Sequence, residues 1–331
     1  MKVRFFDPGK GYLKIKDEID SEIQRVLTAG DLILREDVEK FEENLAKFVG
    51  TKYAVALNSG TDAIYLALKA LNIKGNVALP SHTFKSTCGA VINAGATPII
   101  YDMDERNHYG KDIRLVAHIQ VHIAGELSPI YYLNIPIIED ACQAFGAVKN
   151  PTTSAQCWSF YPAKILGAFG DAGGLTTNDK NIYEYVKEAR NHFKSDNRDF
   201  GINSRMDNLQ AAILNVKFKY IDEILARRKE IAQRYLLELN EDKITMPNNQ
   251  EGRVWQDFII NVGYKIHLLS AYLTACGIET MPNLYPWSPE YPKLPLAAKY
   301  EAETLRLPIN ENITDKEVEY IIKKINEFNL L

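Results

Sequence analysis

Lys164 is the residue of this sequence whose type and surroundings are best suited to covalent chemistry. It follows a predicted strand, residues 156–160, and it precedes Gly167 and Gly170. The glycines predict tight backbone turns around the lysine. A lysine held in a desolvated site can lose its proton and attack a carbonyl carbon. A lone lysine after a strand is usually only solvated, so this interpretation depends on the residues that accompany it.

A carboxylate stands at the end of a second strand pattern. Asp140 follows Ile137 and Ile138, whose apolar side chains predict a buried strand at 136–139. Open α/β sheets bind their ligands at the carboxyl ends of their strands. Asp140 could pair there with a cationic nitrogen of a ligand, or it could cap the helix that follows it.

The segment Asn-Ser-Gly-Thr-Asp-Ala at residues 58–63 lies where a predicted strand ends and a predicted helix begins. The N–H groups at a helix N-terminus and the positive end of the helix dipole form an anion site. Gly60 allows close approach of the backbone, and Ser59 and Thr61 can add hydroxyl donors. Phosphate suits such a site; the alternative is an ordinary helix cap with a tight turn.

A fourth polar segment, residues 201–207, precedes a long helical pattern. Asn203 and Arg205 could reach a phosphate from this segment. Ser204 or Asp207 could instead cap the helix that follows. The segment is therefore compatible with either role.

Strand and helix patterns alternate in the part of the chain that carries these segments. Alternation of this kind predicts an α/β fold, with a mainly parallel sheet and helices on both faces. Strands are predicted at 53–57, 76–79, 97–101, 118–123, 136–139, 156–160 and 174–177, and helices at 36–50, 61–71 and 86–94.

The pattern of the sequence changes after residue 240. Residues 206–240 contain neither Gly nor Pro, which predicts two helices or one bent helix leading out of the first domain. A strand at 254–262 and helices at 267–276 and 314–328 then predict a smaller α+β unit. We therefore expect a large ligand-binding domain at 1–235, with an N-terminal helical segment, and a small domain at 236–331.

Composition excludes several classes of function. The 331 residues carry 39 Lys plus Arg and 43 Asp plus Glu, a balance that argues against a general nucleic-acid binder. No apolar run approaches the 18 residues of a membrane span, and the first residues lack the apolar stretch of a signal peptide. The four cysteines and six histidines form no metal-ligand pattern. We expect a cytoplasmic protein without a metal centre.

In this order along the chain, the motifs resemble those of the DegT/DnrJ/StrS family of pyridoxal-phosphate (PLP) sugar aminotransferases, which have fold type I. The resemblance covers nearly the first 240 residues, and the C-terminal part matches only loosely. The segments that carry it are 29–31, 36–50, 58–63, 80–84, 121–122, 139–143, 159–164 and 201–207.

The resemblance implies a role for each residue that would touch the PLP ring. Lys164 corresponds to the lysine that bonds covalently to PLP and then moves a proton. Asp140 corresponds to the carboxylate that faces the pyridine nitrogen, which favours the protonated ring. Phe84 matches the aromatic residue that stacks on the ring, and Gln143 matches the side chain beside the ring's phenolic oxygen.

The resemblance also implies how the phosphate of PLP is held. Gly60, Thr61 and Ser159 match the family's phosphate contacts within one subunit. Asn203 matches a residue that reaches the phosphate of the cofactor in the neighbouring subunit. A homodimer with shared active sites is therefore implied.

The implied reaction moves the amino group of glutamate to a nucleotide-linked keto sugar and yields a nucleotide-linked amino sugar. The presence of Lys164 argues against the PLP dehydratases of the family, in which a histidine takes the place of the lysine. A cyclitol or another keto substrate without a nucleotide stays open, as does a non-catalytic protein that binds a sugar nucleotide. A nicotinamide-dependent enzyme would want Gly-x-Gly-x-x-Gly after the first strand, and residues 53–63 do not supply it.

Four departures from the family pattern bear on the shape of the substrate site. Segments 104–118 and 146–157 are shorter than in the relatives. Phe145 stands where the relatives often have a histidine, and Ala124 replaces an aromatic residue. None of these positions belongs to the motifs that would hold PLP.

Overall fold

A seven-stranded sheet forms the centre of the molecule. The computed structural model describes residues 1–103, 113–129, 134–195, 199–242, 244–283, 285, 291 and 294–328. Residues 104–112, which form most of the first shortened segment, lie outside these ranges. The strands of the sheet are β1 (Tyr53–Leu57), β2 (Asn76–Pro80), β3 (Thr97–Tyr101), β4 (Leu115–Val121), β5 (Ile137–Asp140), β6 (Ala155–Ser159) and β7 (Gly173–Thr177).

Helices precede, connect and follow these strands. The pattern at 206–240 forms two helices, as one of the two expectations had it, with Lys219 and Tyr220 between them. The helices of the described residues are α1 (Pro8–Lys14), α2 (Lys16–Ala29), α3 (Glu36–Val49), α4 (Gly60–Ala70), α5 (Lys85–Asn93), α6 (Lys180–Ala189), α7 (Asn208–Phe218), α8 (Ile221–Glu238), α9 (Ile266–Ala275), α10 (Pro295–Glu303) and α11 (Asp315–Glu327). In these ranges no helix is long and apolar enough to cross a membrane.

The order and directions of the strands place six of their seven carboxyl ends at one edge of the sheet. The order is β1-β7-β6-β5-β4-β2-β3. The pairs from β3 through β2, β4 and β5 to β6 are parallel, whereas β7 is antiparallel to both β6 and β1. Strand β1 therefore runs in the same direction as β6. The predicted mainly parallel mixed sheet of an α/β fold is confirmed.

Alternate side chains of each strand enter different hydrophobic cores, because successive residues point to opposite faces of a sheet. On β1, Val55 and Leu57 pack with α4, α5 and α6, whereas Ala54 and Ala56 pack with α3 and α7. On β6, Cys157 belongs to the first core and Trp158 to the second. Both faces of the sheet are therefore covered by helices, and its carboxyl edge can support a site.

A second, smaller sheet and a third core lie in the C-terminal part of the chain. The strands β8 (Phe258–Asn261), β9 (Met281–Pro282) and β10 (Thr304–Leu307) pair in the antiparallel order β8-β10-β9. Their core joins side chains of α8, α9 and α11, and it also takes in Val3. The domain boundary expected at 235/236 stays a prediction, since α8 and the first residues of the chain both contribute to this core.

The strand expected at 254–262 is only half present, because β8 begins at Phe258. The guanidinium of Arg228 donates to the carbonyl oxygens of Trp255 and Gln256 at 3.1 and 3.3 Å. The N–H group of Val254 donates to the carbonyl of Gly125 at 3.1 Å. These backbone groups therefore bond to a side chain and a loop, where a strand would bond to a neighbouring strand.

The carboxylate of Asp102 ties helix α10 to the central sheet. Asp102 follows β3 and is buried. Its two oxygens accept hydrogen bonds from the N–H groups of Leu296 and Ala297 at 2.8 and 2.9 Å. These are among the first N–H groups of α10, which have no acceptor within the helix. Asp102 is thus a cap supplied from a distant part of the sequence.

Candidate active site

The carboxyl edge of the sheet brings four of the predicted segments together. Strand β1 leads into residues 58–63, β2 into 81–84, β5 into 140–143 and β6 into 159–164. Since these strands run in the same direction, the residues that follow them lie at the same edge.

Asp140 is a buried carboxylate with two neutral hydrogen-bond donors. It is 6% exposed at the end of β5. One oxygen accepts from the hydroxyl of Thr87 at 2.8 Å, and the other accepts from the N–H group of Cys142 at 3.2 Å. Neither donor balances the negative charge. A buried carboxylate in this state favours a cationic group of a ligand.

Gln143 has a fixed orientation beside this carboxylate. Its Oε1 accepts from the N–H group of Ala124 at 2.8 Å, and its Nε2 donates to the hydroxyl of Tyr285 at 3.3 Å. The amide group of Nε2 carries two hydrogens, so one stays available to a ligand oxygen. Burial raises the pKa of Tyr285 to about 12, which keeps its hydroxyl protonated at neutral pH.

The N-terminus of α4 is packed closely against the strand ends. Ser59 caps the helix, and its Oγ accepts from the N–H group of Asp62 at 3.1 Å. A Cβ atom on Gly60 would lie 2.4 Å from Sγ of Cys142 and 3.1 Å from Cβ of Ser159. Only glycine fits there. The N–H groups of Gly60 and Thr61 have no acceptor within the helix and suit an anion beside Ser159.

Lys164 lies on the turn after β6, where its N–H group donates to the carbonyl of Tyr161 at 2.8 Å. Burial raises the pKa of the Cys142 thiol, the charge of Asp140 acts in the same direction, and the charge of Lys164 opposes it. Both charges therefore act at the same thiol. Asp140 pairs with Cys157 on β6, so the turn that carries Lys164 follows the strand next to this carboxylate.

Phe84 and Asn203 lie at the rim of this arrangement. Phe84 is the cap residue of α5, is 48% exposed, and meets the ring of Tyr285 edge-on with 6.4 Å between the ring centroids. Asn203 is exposed and accepts from Nε of Arg205 at 3.0 Å. Its neighbour Ser204 lies by residues 58–63, since its hydroxyl accepts from the N–H group of Asn58 at 3.4 Å.

Thr87, Cys142 and Tyr285 were not among the predicted site residues. Thr87 is 53 positions from Asp140, and Tyr285 is 142 positions from Gln143. Nothing local in the sequence indicates either contact. Cys142 lies inside segment 139–143, which carries the family resemblance, but a single cysteine without a metal-ligand pattern does not indicate a place in the site.

A lysine on a strand-end turn, a buried carboxylate and the N-terminus of a helix thus share one edge of an α/β sheet. Such a set can hold a phosphorylated ligand with a cationic nitrogen and bond to it covalently. The chain belongs to the DegT/DnrJ/EryC1/StrS aminotransferase family, whose model matches residues 13–326. The match extends beyond the first 240 residues, which carry the recognisable motifs.

Similar proteins include two enzymes that act on sugar nucleotides. The chain is 32% identical to the UDP-2-acetamido-2-deoxy-3-oxo-D-glucuronate aminotransferase of Pseudomonas aeruginosa, over 96% of this chain and 98% of that protein. It is also 32% identical to the dTDP-3-amino-3,6-dideoxy-alpha-D-galactopyranose transaminase of Aneurinibacillus thermoaerophilus, over 98% and 99% of the two chains.

The fold is close to that of a solved structure from the same group. The crystal structure of S. venezuelae DesV in complex with a ketimine intermediate superposes with a TM-score of 0.92. The two chains are 31% identical, and the match covers 98% of each. The fold is therefore the fold type I expected from the sequence.

Proposed function

We propose that this chain is a PLP-dependent aminotransferase that transfers the amino group of glutamate to a nucleotide-linked keto sugar. The product would be a nucleotide-linked amino sugar, and the site of action the cytoplasm. The observation that carries the proposal is that Asp140, the N-terminus of α4 and the turn with Lys164 lie at the carboxyl ends of β5, β1 and β6, on one edge of the sheet. The four cysteines are free, which suits a reducing compartment.

The residues present fit PLP. The N–H groups of Gly60 and Thr61, with the hydroxyl of Ser159, would hold the phosphate, and Asp140 would face the pyridine nitrogen. Gln143 would donate to the phenolic oxygen, since Ala124 and Tyr285 direct its Nε2 group. Phe84 is exposed enough to cover one face of the ring.

When bound, PLP supplies an electron sink for the carbon that loses or gains a proton. The negative charge of Asp140 favours protonation of the ring nitrogen and thereby strengthens that sink. Lys164 provides the amine that holds the cofactor covalently. Once displaced by the amino donor, this amine takes the proton from the donor's α-carbon and later returns one to the acceptor carbon.

A basic cavity supports an anionic acceptor. Lys164 borders a cavity of about 380 Å³ between α1, α8 and residues 310–312, a volume typical of small-molecule sites. Its lining includes five cationic and two anionic side chains, namely Lys14, Lys164, Lys217, Arg227, Arg228, Glu223 and Glu311. Arg227 and Arg228 pair with Asp315 and Glu311, and a diphosphate bound here would take the place of these carboxylates. Both relatives named above act on nucleotide-linked sugars.

We also propose that two copies of the chain share their active sites. Asn203 is exposed, and the segments around it present apolar side chains to solvent. Phe200 is 98% exposed, and Leu32 and Ile33 are exposed on the segment that pairs with Asp207. An exposed apolar patch of this kind suits a second protein surface. A partner seated there would bring its own Asn203 towards a phosphate at Gly60.

The absorption spectrum of the protein with PLP is the first test. We expect a visible band that glutamate bleaches, and its recovery on addition of a UDP- or dTDP-linked keto sugar. Mass spectrometry should then detect the nucleotide-linked amino sugar. Lys164→Ala should lack the band and all turnover, because the substitution removes the amine that the proposal assigns to PLP.

The outcomes separate the alternatives. If glutamate bleaches the band and only a cyclitol ketone restores it, the acceptor is a cyclitol and not a nucleotide-linked sugar. A folded protein that binds sugar nucleotide and gives no band with PLP would establish the non-catalytic alternative. Full activity of Lys164→Ala would overturn the assignment of the lysine.

A further inference from the structure

The turn that carries Lys164 is fastened from the C-terminal part of the chain. Gln256 is 8% exposed and lies just before β8. Its Nε2 donates to the carbonyl of Ala163 at 3.0 Å, and its Oε1 accepts from the N–H group of Ile165 at 3.1 Å. One side chain therefore bonds to the backbone on both sides of the lysine.

Gln256 is itself held firmly. Arg228 is buried, and its Nη1 donates to the carbonyls of Trp255, Gln256 and Ile309 at 3.1, 3.3 and 3.0 Å. Its other terminal nitrogen pairs with Glu311 at 3.2 Å. The backbone at Gln256 thus has a fixed position relative to α8, and its side chain has little freedom to move away from the lysine turn.

Two other side chains bond to this turn, but further along the sequence. Gln210 accepts from the N–H group of Phe169 at 2.9 Å, and the ammonium of Lys217 donates to the carbonyl of Gly167. Among the described residues, Gln256 is the side chain that bonds to the residues immediately before and after Lys164.

We propose that Gln256 is a positioning residue for Lys164. Its two hydrogen bonds fix the peptide groups that flank the lysine, and so they set the direction in which its side chain leaves the backbone. This inference rests on the proposed role of Lys164. A misplacement of about 1 Å can lower the rate of a reaction by about 100-fold, so the direction of the side chain has a large effect.

The test compares two substitutions at Gln256 with a matched control. Gln256→Met keeps the volume and loses both hydrogen bonds, whereas Gln256→Glu keeps an acceptor for the N–H group of Ile165. Gln250 is the control, because it makes the same pair of bonds to the backbone of a single residue, Leu127, at 2.9 and 3.1 Å. Gln250→Met therefore reports what the loss of such a pair does elsewhere.

The first measurement is amide hydrogen exchange of residues 161–168 in the protein without PLP. In Gln256→Met we expect exchange at Ile165 to be at least about tenfold faster, since the loss of a buried hydrogen bond corresponds to about that factor. Gln256→Glu should lie between this variant and the wild type. Gln250→Met should leave residues 161–168 unchanged.

The second measurement is the rate at which PLP attaches to Lys164, followed by the visible band and by borohydride trapping. We expect Gln256→Met to attach PLP about tenfold more slowly, with partial recovery in Gln256→Glu. In turnover, kcat should fall while KM for glutamate stays within about threefold.

The inference is wrong if folded Gln256→Met exchanges its amide hydrogens and attaches PLP at the rates of the wild type. It is also wrong if Gln250→Met changes both rates as much as Gln256→Met does. The proposed function can fail separately. If the wild type attaches PLP at Lys164 but aminates no keto sugar, the substrate proposal is wrong and the positioning role stands. If the wild type attaches no PLP, hydrogen exchange alone decides whether Gln256 orders the turn.

Discussion

At the scale of single residues, the charge of Asp140 is the feature on which the electrostatics of the site depend. Its hydrogen bonds come from Thr87 and Cys142, both neutral donors, in a buried position. Asp140→Asn removes the charge with little change in shape. We expect kcat to fall by about 100-fold or more, as it does when one preorganised electrostatic group is removed from other active sites.

Steady-state kinetics with glutamate and the keto sugar would measure this effect. Thr87→Val is the companion variant, since it removes one donor and keeps the charge of Asp140. It should reduce kcat by much less than Asp140→Asn. Equal losses in the two variants would show that the position of the carboxylate matters and its charge does not.

His118 gives the molecule a pH-dependent stability. It is fully buried on β4, and burial lowers its pKa from 6.5 to about 4. Between these two values the unfolded chain binds more protons than the folded chain, so the free energy of unfolding falls as the pH falls. His118→Gln should remove up to about 3 kcal/mol of this dependence between pH 6.5 and 4.

Urea unfolding at several pH values would measure the dependence. The exposed His267 provides the control for the substitution itself, and His267→Gln should change the free energy of unfolding at pH 7 by less than about 0.5 kcal/mol. A profile for His118→Gln that parallels the wild type throughout this range would contradict the prediction.

At the scale of elements, the hydrogen bonds of Asp102 to the start of α10 link this helix of the C-terminal part to the central sheet. The carboxylate of Asp102 accepts from two N–H groups at the start of the helix. Asp102→Ala leaves both without an acceptor, and we expect a loss of about 1–2 kcal/mol in the free energy of unfolding. Asp102→Asn should lose less, because it keeps one carbonyl oxygen as an acceptor.

Denaturant unfolding measures the loss, with Glu241→Ala as an exposed control that should change stability by less than about 0.5 kcal/mol. Helix α10 also carries Glu301, which bonds to His82 at 2.8 Å and to the N–H group of Tyr285 at 3.2 Å. The hydroxyl of Tyr285 in turn accepts from Gln143. Asp102→Ala should therefore also change the fluorescence or the reactivity of a ligand bound next to Gln143. An unchanged free energy of unfolding in Asp102→Ala would contradict the capping role of Asp102.

The elements that sequence analysis predicted well are those with strong local patterns. The apolar runs of the strands and the glycine at the start of α4 are local features. The first predicted the sheet, which is confirmed, and the phosphate site predicted from the second stays a prediction. The predicted start of the strand that contains β8 was wrong. Arg228, 27 positions before Trp255, donates to the carbonyl of Trp255, which in a strand would accept from a neighbouring strand. Gln256 and Ile165 are 91 positions apart in the sequence, and neither residue type indicates their contact.

At the scale of the whole molecule, shared active sites predict recovery of activity on mixing. Lys164→Ala and Asn203→Ala should each be inactive or weak as homodimers. In a mixed dimer, one of the two sites would combine an intact Lys164 with an intact Asn203. Co-expression of the two variants should therefore restore about a quarter of the wild-type activity, because half of the dimers are mixed and half of their sites are intact.

The control is co-expression of Lys164→Ala with Asp140→Asn. Both residues belong to the same subunit's site, so each site of a mixed dimer would carry one defect. No recovery is expected from this pair. Recovery in neither mixture, from a protein that sediments as a monomer, would refute the shared site.

Val3 pairs with a segment far along the chain. Its N–H group donates to the carbonyl of Gly277 at 2.8 Å, and its carbonyl accepts from the N–H group of Glu279 at 2.9 Å. During synthesis, the ribosome adds residues at about 5–20 per second, so Val3 waits on the order of tens of seconds for these partners. The central sheet can form meanwhile. Val3 is therefore synthesised long before the residues with which it pairs, and it reaches its final place late.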